Sequence, residues 1–300
     1  MDSGTETQPT VSICIPTLNG GRFLEAALES VLSQDFRDLE VIFSDDGSTD
    51  DTLDIIASFI EKRQVPARLY HHNCCGIGAN WNFCVSKAQG KFIKFLMQDD
   101  LLSARCISMM VSAIERNPSV GLVYCRRKII SSGTVEGLHQ WLQIFGTLHD
   151  KSEVPISEGL VHGLSILGDL FFLEPPRNKI GEPTAVLYRA NVVKTVGEFR
   201  EDLKQTLDYE YWYRILRHFD AYFLDEELAI FRRHESQETT LNKRDAIHSN
   251  EEFAKLLIIY LQHIFFVLAP KNKIALLKLL IYAWLPILLR RTKFLLARVI

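Results

Sequence analysis

Two acidic clusters in this chain have the composition and placement to hold a metal ion and a polar ligand. Lys91–Leu102 reads KFIKFLMQDDLL, an apolar run that stops abruptly at Asp99 and Asp100. Leu39–Ser44 reads LEVIFS and stops at DDGSTD, which opens with Asp45 and Asp46. Adjacent carboxylates repel each other unless a cation neutralises them, and a divalent metal carrying phosphates is one such cation. The plainer reading of each cluster is a solvated strand-to-helix turn. In that reading Asp100 starts a helix, and Ser48 with Asp51 forms a capping pair around the tight turn at Gly47. Two acidic strand ends in one small domain exceed what turn chemistry requires. The division expected is one pair on a metal and the other on a base or sugar hydroxyl.

The elements that must position these residues follow from hydrophobic period. Val11, Ile13 and Ile15 alternate with Ser12 and Cys14, which predicts a first strand. Phe23, Leu24, Ala27, Leu28, Val31 and Leu32 recur at helical spacing. Leu39–Ser44 is the second strand, Thr49–Lys62 a helix, Ala67–His71 a third strand and Ile77–Ala88 a helix. A fourth strand ends at Met97, a helix spans Arg105–Arg116 before Asn117-Pro118, and Val120–Arg126 is a strand. Alternating strands and helices with short connections predict a Rossmann-like, mainly parallel sheet flanked by helices. Ligands of such sheets bind outside the carboxyl ends of the strands.

Between residues 130 and 180 the pattern weakens, with scattered Trp141, Phe145, Phe171 and Phe172. These aromatics fit either an acceptor pocket or ordinary core. Asn191–Val196 and Tyr209–Phe219 read as helical, and Ala221–Phe231 as one or two short strands ending in RRHESQETT.

Composition narrows the classes. The chain has 300 residues, enough for one large α/β domain and an appendage. Its formal net charge of −3 provides no basic field for nucleic acid. Adjacent Cys74-Cys75 lacks zinc-ligand spacing, while Cys14 and Cys125 lie in apolar runs, so reduced thiols in a cytoplasmic protein are the expectation. Residues 1–10 are polar without an apolar core, which predicts a disordered start and no secretory signal. Residues 245–300 are strongly apolar, with Lys271, Lys273, Lys278, Arg290, Arg291, Lys293 and Arg298 interspersed. Lys278 and Pro286 break the second apolar run, which is shorter than the roughly 20 residues a bilayer span needs. The tail is therefore expected to be a helix pair that packs on its own domain, lies on a membrane surface, or joins a second copy.

Four stretches together resemble family 2 glycosyltransferases of the GT-A fold, of the kind found in bacterial polysaccharide synthesis. They are VSICIPTLNGGRFLEAALESVLSQDF (Val11–Phe36), VIFSDDGSTDDT (Val41–Thr52), the Gly78, Asn82, Ala88, Gly90 spacing leading into KFIKFLMQDD, and TLDYEYWYR (Thr206–Arg214). GEPTAVLYR (Gly181–Arg189) resembles a family segment on the acceptor side. The resemblance implies a domain over 11–240, with a nucleotide-binding half (11–128) and an acceptor half (129–240). It also implies inverting transfer from a nucleotide-sugar donor to a glycan or lipid-linked acceptor, with Mn2+ or Mg2+. The matching positions are Pro16, Thr17, Asn19, Asp45, Asp46, Asn82, Gln98 and Asp99 for the donor and Asp208 for the general base. For the metal they are Asp99 with Asp100. The family's Asp-x-Asp begins here with Met97, which bears on metal affinity.

That chemistry is physically coherent. Breaking the anomeric bond builds charge on a diphosphate, which a metal stabilises. A base must take the acceptor's proton as it attacks, and direct attack inverts the anomeric centre. Asp208 at a helix start is expected to stay ionised through the helix dipole. Glu210 should point about 200° away at 3.6 residues per turn. His234, in the Arg232-Arg233-His234 run, could reach the diphosphate or metal or be a plain surface residue. Asn82 could instead tie its helix to a loop. Two other classes fit in part: a nucleotidyltransferase, or a non-catalytic nucleotide- or glycan-binding homologue.

Overall fold

A computed structural model of the chain describes residues 8–133, 135–149, 152, 157–235, 237 and 246–296. The expected disordered start therefore falls largely outside the described residues, although Thr10 N already donates to Asp38 O at 3.2 Å. The strands β1 (Val11–Thr17), β2 (Leu39–Asp45), β3 (Ala67–His71), β4 (Phe92–Phe95), β5 (Leu101–Leu102), β6 (Val120–Ser131), β7 (Gly159–Val161), β8 (Val186–Arg189) and β9 (Asp220–Arg233) form one mixed sheet. Its order is β3-β2-β1-β4-β8-β6-β9-β5, with β7 paired to β9. The helices are α1 (Gly21–Leu32), α2 (Thr52–Glu61), α3 (Ile77–Lys87), α4 (Cys106–Glu115), α5 (Leu138–Phe145), α6 (Gly163–Gly168), α7 (Val193–Val196), α8 (Leu207–Leu216), α9 (Ala246–His263) and α10 (Pro270–Leu296).

Direction of travel places the site. The first four strands of that order run parallel, and β8 runs against both β4 and β6. Strand β6 is parallel to β9, so β9 points the same way as β4. The carboxyl ends of β1, β2, β4 and β9 thus share one edge of the sheet, where β8 begins. Thr17, Asp45, the Gln98–Asp100 turn, the Glu182–Thr184 segment and His234 all lie on that edge.

Each central strand is apolar on both faces because two cores sandwich it. Val11, Ile13 and Ile15 join Val41, Phe43 and α1, α2 and α4 residues on one face. Cys14, Ile42, Ile93 and Phe95 join Trp81, Tyr188 and Trp212 on the other. The continuous apolar runs of the sequence report this double burial.

Two strands are longer than their hydrophobic pattern. After a register shift at Arg126, β6 continues to Ser131 alongside a single β9 of 14 residues. Beyond Arg127 the β6 residues leave the core, so the alternation that marks a strand fades there, while β9 keeps Leu228 and Ala229 buried.

The apolar tail divides. Leu256, Leu257, Ile259 and Tyr260 of α9 are buried in the main core. Tyr260 packs at 5.6 Å from Phe172 and 6.1 Å from Tyr213. This helix packs on its own domain. Helix α10 runs through Pro286, which interrupts its apolar run without ending the helix. Its Ile274, Leu277, Ile281 and Tyr282 face outward. Among the described residues no helix is long and apolar enough to cross a membrane.

Glu252 of α9 has a specific task. Its Oε1 accepts hydrogen bonds from Gln205 N (2.8 Å), Thr206 N (2.9 Å) and Thr206 Oγ1 (2.9 Å), just before α8. No side chain at Thr206 caps α8 directly, so Glu252 satisfies that helix start from outside. Glu252→Ala should lower unfolding stability by about 1–3 kcal/mol, the cost of leaving such donors unpaired. An unchanged denaturant midpoint would refute this role.

Candidate active site

The turn after β2 is built on Asp45. Its fully buried carboxylate accepts from Thr17 Oγ1 (2.8 Å), Ser48 Oγ (2.5 Å), Ser48 N (2.9 Å) and Gly47 N (3.2 Å). His71 Nδ1 lies 3.0 Å away. Burial opposes its charge, yet the bonds from Ser48, Thr17 and His71 hold it below the ordinary carboxylate value. Asp45 thus joins the ends of β1, β2 and β3, and its two oxygens are already occupied.

The Pro16-Thr17-Leu18-Asn19 turn is sewn to the second acidic turn. Asn19 takes a left-handed backbone (φ 50°), with its N donating to Ser48 Oγ (2.8 Å) and its Oδ1 accepting from Thr49 N (2.8 Å). Buried Pro16 lies past the last β1–β4 pair, Cys14–Phe95, so its missing N–H interrupts no ladder with β4. Gln98 reaches across the edge: Oε1 accepts from Leu18 N (2.9 Å) and Nε2 donates to Leu18 O (3.0 Å). A Cβ on Gly20 would lie 2.2 Å from Gln98 Oε1, so a side chain there would push the Gln98 amide off Leu18.

Asp46 points to the β3–α3 loop. Its oxygens accept from Cys75 N (2.7 Å) and Gly76 N (3.1 Å). The Cys75 thiol lies 3.1 Å away and is pushed up to about 11 by burial and by Asp46.

The paired carboxylates of the other turn separate in role. Asp99 Oδ2 lies 2.9 Å from His234 Nε2, and the His234 ring packs on Phe23 at 4.7 Å. Asp100, expected beside Asp99 on a metal, is fully buried and taken up by the scaffold. Its Oδ1 accepts from Arg232 N (3.0 Å) and its Oδ2 from Thr184 Oγ1 (2.7 Å). Burial first, then the charge of Asp99, push Asp100 well above the usual carboxylate range. Arg232 donates to Asp99 O (2.9 Å) and to Ser132 Oγ (2.8 Å) and stacks over Phe23. Arg233 is engaged by Gln237 and stacks on Trp141.

Asp208 stands in the first turn of α8. Trp212 Nε1 donates to Gly181 O (3.1 Å), and Lys179 N donates to Tyr213 Oη (2.9 Å). These bonds fix the helix to the segment 178–184. Asn178 Nδ2 donates to Asp208 Oδ2 at 3.2 Å, while Asp208 Oδ1 is buried and has no hydrogen-bond partner. The helix start does not keep this group ionised as the sequence suggests. Burial, with Glu182 and Glu252 adding like charge, outweighs the Tyr209 and Asp208 N–H groups and pushes Asp208 up to about 8. Glu210 turns the other way, onto Arg214 in a two-pronged pair (2.8 and 3.0 Å). Segment 178–184 therefore links Asp208, through Asn178, to Asp100, through Thr184. Sequence reasoning missed Asn178, Glu182 and Thr184 as site residues. The GEPT run at Gly181–Thr184 was the signal, read only as a segment near the acceptor side.

Asn82, expected on the donor, is a tie between α3 and a loop. Its Nδ2 donates to Phe199 O (2.9 Å) and its Oδ1 accepts from Phe199 N (2.9 Å).

A mixed sheet with acidic residues gathered at one carboxyl edge and flanking helices is the GT-A fold of nucleotide-sugar transferases. The chain belongs to glycosyl transferase family 2, whose description matches residues 12–168. A Campylobacter jejuni GalNAc(5)-diNAcBac-PP-undecaprenol beta-1,3-glucosyltransferase is 37% identical over 109 residues, 36% of this chain and 35% of that one. S. aureus TarS 1-349 in complex with UDP-GlcNAc superposes with a TM-score of 0.61 at 17% identity, over 92% of this chain and 71% of that one. The mannosyltransferase PcManGT from Pyrobaculum calidifontis, solved with GDP-Man and Mn2+, also gives 0.61 at 17% identity, over 86% and 65%.

The Asn82 geometry carries its own expectation. Asn82→Ala should cost about 1–3 kcal/mol of stability by leaving the Phe199 backbone unpaired. Nucleotide affinity, read by calorimetry on the folded variant, should stay at the wild-type value. A large affinity loss without a stability loss would return Asn82 to the donor.

Proposed function

We propose that this glycosyltransferase moves a sugar from a nucleoside-diphosphate sugar to a hydroxyl of a glycan or lipid-linked glycan, with inversion at the anomeric carbon. The observation that carries the reading is a pair of unlike acidic centres tied together through the 178–184 segment. One is Asp99 beside His234, and the other is Asp208 with a buried, unpartnered oxygen. The UDP-GlcNAc and GDP-Man complexes of structural relatives support a nucleotide-sugar donor. The undecaprenol-linked name of the C. jejuni relative supports a lipid-linked acceptor.

The Asp99 carboxylate offers the oxygen ligand that Mn2+ or Mg2+ prefers, with the His234 imidazole 2.9 Å from it. Asp99 and His234 would hold it, and Asp100 would orient Asp99 from behind. Bound there, the ion supplies Lewis-acid stabilisation of the leaving diphosphate. The turns at Pro16, Thr17, Asn19, Asp45, Asp46 and Gln98 form the wall for base and ribose. Asp208 takes the acceptor hydroxyl's proton on its unpartnered oxygen, and Asn178 fixes the other oxygen. The outward face of α10, with Ile274, Leu277, Ile281 and Tyr282 beside Lys278, suits an anionic cytoplasmic leaflet that carries such an acceptor.

Asp99→Asn should weaken binding of UDP or GDP in manganese and leave binding in EDTA unchanged. Equal affinity of both proteins in manganese would remove Asp99 from the metal site.

Asp208→Asn should reduce transfer by about 10² to 10⁴ with donor affinity retained. The base works only when deprotonated, and its folded pKa is raised, so kcat/KM should rise with pH and level off above about 8. The same sign makes Asp208 a destabilising group as pH climbs from its unfolded value toward 8. A pH-independent rate, or normal turnover by the Asn variant, would disprove the assignment. A retained anomeric configuration would disprove direct attack.

A further inference from the structure

A second set of metal-ligating atoms lies on the far side of the Asp46 turn, away from the Asp99–His234 pair. Cys75 Sγ is 3.1 Å from Asp46 Oδ1, and His72 Nδ1 is 3.3 Å from the same oxygen. His72 Nδ1 and Cys75 Sγ are 3.5 Å apart. A tetrahedral zinc ion with Zn–S of about 2.3 Å and Zn–N and Zn–O of about 2.0–2.2 Å separates its ligand atoms by roughly 3.4–3.6 Å. The three atoms therefore stand within about half an ångström of three tetrahedral corners.

The scaffold around them has the features such a site needs. Asp46 accepts from the backbone N–H groups of Cys75 and Gly76, and Gly76 turns the loop with φ 92°. His72 N donates to Asp45 O at 3.1 Å, which anchors the loop start to the end of β2. His72 Nε2 lies 3.0 Å from the hydroxyl of Ser44, a fully buried residue of β2. A ligating histidine needs such a partner on its second nitrogen. Without metal, Nδ1 carries the proton toward Asp46 and the hydroxyl donates to Nε2. With metal on Nδ1, the proton sits on Nε2 and the same hydroxyl accepts it. Cys74 Sγ lies on the other carboxylate oxygen, 3.6 Å from Asp46 Oδ2, so water is left to supply the fourth corner. Both cysteines are exposed, so an ion can enter from solvent.

We infer that Asp46, His72 and Cys75 form a zinc-type thiolate site that pins the 72–76 loop to the end of β2; it is distinct from the Asp99–His234 pair, but it shares Asp46 with the proposed base and ribose wall, so a bound ion draws that carboxylate away from the wall. Thiolate with imidazole selects zinc over manganese or magnesium, which prefer oxygen ligands. On binding, the ion replaces the Cys75 thiol proton, which leaves to solvent. The sequence spacing of Cys74-Cys75 gave no hint of this, because the carboxylate comes from the end of another strand.

Cobalt(II) titration of the full, reduced, metal-stripped chain tests the site. One cobalt per chain should bind with a thiolate-to-cobalt charge-transfer band and tetrahedral d–d bands, and zinc should bleach both. Cys75→Ser and His72→Ala should abolish the charge-transfer band while melting like wild type without metal. Ser44→Ala should weaken cobalt affinity about 10- to 100-fold. Asp99→Asn should leave the band unchanged, since that centre holds no sulfur, so failure of one site is told from failure of the other. Cobalt binding without the charge-transfer band would overturn the inference, as would a band that survives Cys75→Ser.

Discussion

The site depends on one buried carboxylate. Asp100 accepts from Arg232 N at the end of β9 and from Thr184 Oγ1 before β8, and it sits in the turn after β4. Thr184 in turn receives the fully buried Lys94 ammonium on its carbonyl oxygen. A buried carboxyl group and a buried lysine are thus bridged by one threonine. Such an arrangement is costly to desolvate and costlier to break, because removing one partner strands the other. Its consequence is geometric. Asp99, His234 and the 178–184 segment each adjoin a residue of this knot, so their positions are fixed together.

The knot explains why so many carboxylates can share one edge. Each is handled by a different physical means. Asp45 is held ionised by short bonds from hydroxyl and backbone groups despite its burial. Asp100 is pushed upward by burial and by its neighbour, and serves the scaffold. Asp99 keeps an imidazole beside it. Asp208 has neither cation nor full hydrogen bonding, and burial raises it toward neutral pH. A group left in that state is poorly explained by stability and well explained by proton transfer. Glu210, two residues on, is also buried and also raised by that burial, but Arg214 grips both of its oxygens and opposes the shift.

How much of this was legible in the sequence varies with range. The parallel half of the sheet was plain, because strands buried on both faces write continuous apolar runs, and helices write their own period. The acidic strand ends followed from the same reading. The division of labour between Asp99 and Asp100 was not legible, since it rests on Thr184 and Arg232, far along the chain. Asn82 read equally as donor contact or tie, and only the Phe199 backbone decides. The end of β6 beyond Arg126 was missed because its residues there are polar or only partly buried, so hydrogen bonding persists without hydrophobic alternation, whereas β9 was read as strand over most of its length. The charge state of Asp208 was misjudged for a related reason. The helix dipole is a local property visible in the sequence, whereas burial and the nearness of Glu182 and Glu252 are properties of the fold.

Glu252 shows how the apolar tail enters the chemistry. Read as sequence, residues after about 245 look like an appendage. In the fold, α9 completes the core beside Tyr213 and Phe172 and caps α8 through Glu252. The same carboxylate that satisfies the helix start adds negative charge near Asp208 and raises its affinity for a proton. One side chain thus stabilises the helix that carries Asp208, the proposed base, and raises the affinity of Asp208 for a proton. Structural support and chemical tuning are therefore not separable here. A shorter chain that ended before α9 would lose the cap, part of the core under α8 and part of the field on Asp208 at once.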